Sequence, residues 1–91
     1  MTDVIRVLVA DDHDLVREGL KAALRGHEEF SVIGEARDGE EAVREAERLA
    51  PDIVVMDIRM PGLSGIEACR ELRARRPEIS VLMLTSYTDD K

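Results

Sequence analysis

Ile5-Arg6-Val7-Leu8-Val9-Ala10-Asp11-Asp12 is a short apolar run closed by two carboxylates, and Ile53-Val54-Val55-Met56-Asp57 repeats the pattern with one. Runs of this length rich in Val, Ile and Leu read as strands buried on both faces, the kind found in parallel sheets. Ligands of open α/β sheets bind at the carboxyl ends of the strands, so Asp11, Asp12 and Asp57 are expected at one rim. Two unit charges about 4 Å apart repel by roughly 4 kcal/mol at an effective dielectric near 20. Such a cluster needs a proton or a cation, and all-oxygen ligands with open positions suit Mg²⁺.

Outward from these runs the chain alternates. From Asp14 to Leu24, the residues Leu15, Val16, Leu20, Ala23 and Leu24 share one helical face, and Gly26 stands where a C-terminal cap belongs. Phe30 to Gly34, with Val32 and Ile33, reads as a short second strand. Asp38 and Glu41 have capping-box spacing ahead of Ala42, Val43, Ala46 and Leu49, and Pro51 stops that second helix. Ser64 and Glu67 repeat the spacing, Ile66, Cys69 and Leu72 line a face, and Pro77 ends the third helix. A fourth strand is expected from Ile79 to Thr85, and Thr88-Asp89-Asp90-Lys91 looks like the capped first turn of a fourth helix. This alternation predicts an α/β domain with a parallel sheet, right-handed crossovers and helices on both faces.

Composition narrows the function. Ninety-one residues make one small domain, which buries only about 60–65% of its unfolded surface. A net charge of −7 lacks the basic stripe of a nucleic-acid surface, so direct DNA binding by this chain is not expected. There is no apolar run of about 18 residues and no basic-then-apolar leader, so the expectation is a cytoplasmic protein with no membrane segment. Cys69 is the only cysteine, which leaves no internal disulfide, and its place in line with Ile66 and Leu72 reads as a small core residue.

The chain resembles the receiver domain of bacterial two-component response regulators. The resemblance covers nearly every residue. It rests on Asp11-Asp12 after the first strand, Asp57 ending the third, Pro61 and Gly65 beyond it, and Thr85 ending the fourth. The segment Asp11-Asp12-His13-Asp14 with Arg17, Gly19 and Leu20, together with Leu84-Thr85-Ser86-Tyr87, looks like the subgroup with a helix-turn-helix output domain. The resemblance implies a flavodoxin-like sheet in the order 2-1-3-4-5. It makes Asp57 the phosphoacceptor, taking a phosphoryl group from a sensor histidine kinase or a small acyl phosphate. Asp12 and Asp57 become direct Mg²⁺ ligands, Asp11 a direct or water-mediated one, and the backbone carbonyl of Arg59 a further ligand. Thr85 gives its hydroxyl to the phosphoryl group and reorients as the switch. The side chains of Arg59 and Tyr87 tune the lifetime of the acyl phosphate.

Each residue also has an ordinary reading. Asp57 alone is a strand-end turn residue, Thr85 alone a β-branched strand former, and Asp14 an acid favouring a helix start. His13 reads as a solvated partner of the acidic pair, and Arg44, Glu45, Glu47 and Arg48 as a solvated face of the second helix. The conjunction of Asp11, Asp12 and Asp57 carries the functional reading.

The family has five strands and five helices, with a lysine ending strand five. Residues 1–91 stop short of strand five, helix five and most of helix four, roughly 30 residues. They read as an incomplete receiver domain of a longer regulator whose DNA contact lies in an absent output domain. Without strand five, Val81-Leu82-Met83-Leu84 forms an open edge, and self-association through the fourth strand is expected. A non-switching fragment that binds Mg²⁺ and partners is the alternative. An aspartyl-phosphate phosphatase of the haloacid dehalogenase type is a third reading, but that class places an acid two positions after the nucleophile, where this chain has Arg59.

Overall fold

Residues 3–84, the span that the computed structural model describes, fold as β1 (Ile5–Ala10), α1 (Asp14–Arg25), β2 (Phe30–Ala36), α2 (Gly39–Leu49), β3 (Ile53–Asp57), α3 (Gly65–Arg75) and β4 (Ser80–Leu84). The strands are parallel in the order β2-β1-β3-β4, the flavodoxin-like order expected. From β1 the chain steps outward to β2, crosses back to β3, then steps on to β4. Right-handed crossovers require the helix of the first step to lie on the face opposite the other two. Accordingly α2 and α3 cover Leu8, Ala10, Val54 and Met56 through Ala42, Val43, Ala46, Ala68 and Leu72, and α1 covers Val7, Val9 and Val55 through Leu20 and Leu24. Leu8, Val54, Met56 and Leu72 are wholly buried, each worth roughly 1.5–3 kcal/mol of burial.

Both predicted helix starts are built as caps. The Asp38 carboxylate accepts the Glu41 N–H at 2.8 Å, while the Glu41 side chain accepts from the Arg37 N–H at 2.8 Å. Ser64 and Glu67 form the full reciprocal box, at 3.2 and 3.0 Å.

Two local expectations are corrected. β2 runs on to Ala36 instead of ending at Gly34. Val7 pairs with Val32 and Leu8 with Gly34, so Ile33 is an extra residue in a bulge. Gly34 breaks the sequence pattern for a packing reason: a Cβ there would lie 2.7 Å from a Leu49 methyl. Gly26 caps α1 as expected, in a right-handed conformation at φ −72°, whereas the left-handed cap is Ala50, at φ 49°, ending α2. On α3, Gly65, Ala68 and Leu72 turn inward with Cys69 beside them, whereas Ile66 is 53% exposed. Ile66 precedes that inward line by about a quarter turn and faces the mouth of a cleft.

The largest correction is to α1. Its sheet-facing side is Arg17, Leu20, Lys21 and Leu24, leaving Leu15 87% exposed and Val16 and Ala23 outside. The helix is turned by roughly a quarter turn from its apolar stripe. The cause lies on β2, where Glu35 accepts the Arg17 Nε–H and the Lys21 ammonium, each at 2.9 Å. Thr85 and the turn expected at Thr88–Lys91 lie outside the described residues. No helix among the described residues is long and apolar enough to cross a membrane.

Candidate functional site

At the carboxyl edge of the sheet, β1 and β3 are neighbours whose following segments depart in opposite directions, which leaves a crevice between their ends. Asp11 extends the ladder by one residue, its N–H donating to the Ala36 carbonyl at 3.0 Å. Its carboxylate oxygen Oδ1 accepts the His13 N–H at 2.8 Å, closing the tight turn that aspartate favours. Asp57, the last residue of β3, is 1% exposed. The sequence expectation of three carboxylates at one rim holds: one ligand atom from each of Asp11, Asp12, His13 and Asp57 lies within 4.8 Å of the others. Like unit charges at that separation repel by roughly 3.5 kcal/mol at an effective dielectric of 20.

His13 meets part of this charge. Its Nδ1 lies 3.0 Å from Asp11 Oδ1 and 3.1 Å from Asp12 Oδ1, and its pKa is raised, first by the bond to Asp11 and then by the Asp12 charge. Its ring stays largely in solvent. Asp57 receives no such help. Among the described residues neither of its carboxylate oxygens has a hydrogen-bond partner, although both are buried. Burial, and then the Asp11 charge, push its carboxyl above the ordinary value; the nearby backbone N–H groups of Arg59 and Ile58 oppose this without reaching hydrogen-bonding geometry.

The loop after β3 forms the other wall. The Ile58 N–H donates to the Leu84 carbonyl at 3.1 Å, and the Ile58 carbonyl accepts the Gly65 N–H at 2.8 Å. Gly65 allows α3 to start against the strand end, since a Cβ there would lie 2.2 Å from the Asp57 carbonyl oxygen. Arg59 is exposed, and with Asp12, His13, Asp57 and Ile66 it lines the open cleft. Thr85 and Tyr87, the remaining residues expected at the site, lie outside the described residues.

Arg17 entered the sequence reading only as part of a motif. In the fold its side chain is 10% exposed, and Nη1 donates to the Asp11 backbone carbonyl at 2.9 Å. The available signal was the spacing of Arg17 and Lys21, one helical turn apart, with a glutamate following the apolar stretch of β2. Asp14 opens α1 as the acid of its first turn, as expected, while the N-cap His13 makes no side-chain cap bond; the Asp14 carboxylate accepts from Arg17 Nη2 at 2.7 Å.

The family profile described as the response regulator receiver domain matches residues 7–91. Response regulator GacA of Pseudomonas viridiflava is 46% identical over 87 residues, which are 96% of this chain and 41% of GacA. The signal receiver domain of the response regulator NarL from Mycobacterium tuberculosis superposes with a TM-score of 0.89 at 34% identity, covering 96% of this chain and 70% of that one. The isolated receiver domain of RcsB from Salmonella enterica serovar Typhimurium, solved in the presence of the phosphomimetic BeF3⁻, gives 0.86 at 27% identity, covering 96% and 65%. The chain thus spans about two-fifths of the length of its curated relative.

Proposed function

The chain belongs to the response regulator receiver domain family, a signalling family, and from that membership we propose that it is the phosphoacceptor module of a two-component system with Asp57 as acceptor. One observation carries the assignment: Asp57 lines the cleft with both carboxylate oxygens unpaired, and a nucleophile needs free lone pairs. The phosphomimetic described with the RcsB receiver supports the same reading.

The donor set fits Mg²⁺. The carboxylates of Asp11, Asp12 and Asp57 and the backbone carbonyl of Arg59 would hold it, all through oxygen. When bound, Mg²⁺ neutralises charge on the transferring phosphoryl oxygens. An ionised Asp57 oxygen attacks phosphorus in line with the donor. An O–P bond forms, and the bond from phosphorus to the imidazole nitrogen of a phosphohistidine, or to the oxygen of an acyl phosphate, breaks, its electron pair leaving with the donor. Asp57 needs no base, only a cation that offsets the burial and the Asp11 charge opposing its ionised form. Thr85 takes the phosphoryl contact and the switching role, a sensor histidine kinase is the donor partner, and the chain itself works in the cytoplasm. The parent protein passes the signal to a DNA-binding output domain.

Intact-protein mass spectrometry after incubation with acetyl phosphate tests this. The chain is expected to gain one phosphoryl group only with Mg²⁺ present, and Asp57→Asn to gain none. Labelling that persists in the variant would assign the acceptor elsewhere.

A further inference from the structure

Resting on the reading of Asp11, Asp12 and Asp57 as a divalent-cation site, we propose that Arg17 is a positioning residue for that site, acting through the peptide that joins Asp11 to Asp12. The oxygen of that peptide accepts from Arg17 Nη1 at 2.9 Å. Beyond its own backbone, the Asp12 carboxylate has one recorded partner among the described residues, the solvated ring of His13. The direction in which Asp12 leaves the strand is therefore set by the peptide that Arg17 holds. Arg17 is itself fixed at three nitrogens, with Nε on Glu35 and Nη2 on Asp14, and Lys21 braces Glu35 from the other side. Only a planar fork of donors spans these three acceptors at once, so lysine is not an equivalent.

Charge and positioning make opposite predictions. Arg17 is a cation near a cation site, so by charge alone its removal would tighten Mg²⁺ binding. If Arg17 positions Asp12, its removal weakens binding, by about tenfold as for other groups that orient metal ligands. The sign decides between them. The same charge comparison applies to Arg17→Lys, which keeps the cation and loses the fork.

The test is calorimetric titration of the 91-residue chain with Mg²⁺, comparing wild type, Arg17→Ala, Arg17→Lys, Asp12→Asn and Arg6→Ala. Arg6 caps the C-terminal carbonyls of α2 from the amino end of β1, at 2.6 and 2.7 Å, so its variant controls for loss of stability remote from the site. The expected result is weaker binding in both Arg17 variants with affinity unchanged in Arg6→Ala. Binding in Arg17→Ala as tight as wild type, or tighter, overturns the proposal. If circular dichroism shows that variant unfolded, an unchanged affinity in Arg17→Lys overturns it instead. A wild-type chain that binds no Mg²⁺, or binds it equally well as Asp12→Asn, refutes the cation site itself and this role with it.

Discussion

Asp57 is held in a place that suits its neutral form, while the chemistry assigned to it needs the ionised one. Its folded pKa is raised, so the folded chain holds that proton more tightly than the unfolded chain does. Stability contributed by this residue is then fullest below its ordinary value of 3.8 and is lost as pH rises through the folded value. Asp57→Asn removes the loss. In denaturant titrations without divalent cations, the variant is expected to exceed wild type at neutral pH and to match it at acid pH. Saturating Mg²⁺ should narrow the neutral-pH gap, because wild type alone then gains the full binding free energy. A variant less stable than wild type at neutral pH without Mg²⁺ would show that the buried carboxylate is compensated by contacts other than those described.

The elements were legible to different depths. Capping pairs at Asp38 and Ser64 announced two helix starts, because cap chemistry depends on residues three apart and little else. The strand ends at Asp11 and Asp57 were legible because a switch from apolar to charged marks the rim of a parallel sheet. The inner face of α1 was not, since hydrophobic periodicity counts Arg17 and Lys21 as outward, and only the position of Glu35 on β2 makes them inward. The end of β2 was hidden by Gly34, whose absent side chain serves Leu49 and Leu8 across the core. The end of α2 was legible from Pro51, but the conformation of its cap was not. Ala50 takes a left-handed conformation there, with φ 49° and ψ 59°, although a Cβ costs about 1–2 kcal/mol in that region. Arg6 compensates by donating to the Leu49 and Ala50 carbonyls. Ala50→Gly relieves the clash at an entropic cost to folding of about 0.4–1 kcal/mol. Its midpoint in urea is expected to rise, for a net gain of about 0.5–1 kcal/mol.

At the scale of the molecule the two sheet faces are unequal. One carries two helices; the other, among the described residues, carries α1 alone. On that second side Leu82 stands opposite Val55 and is 55% exposed, on β4, the edge of the sheet among the described residues. Leu15 and Val16 add exposed apolar surface on α1, which covers the same face. Unpaired strand edges and contiguous apolar patches favour association. The 91-residue chain is therefore expected to self-associate through β4, with a sedimentation coefficient that rises with concentration and falls back to the monomer value in Leu82→Lys. A single monomer boundary across the series would remove that surface as an interface.

The departure of the chain in opposite directions from β1 and β3 has a consequence for assembly. Asp57 arrives 45 residues after Asp12, and the two share a rim only once β3 has docked beside β1. A nascent or partly folded chain that has built β1, α1 and β2 presents the acidic pair without its third member. On the proposed assignment, cation binding and phosphoryl acceptance emerge together with the central strand pairing, so a chain halted before that pairing would have neither.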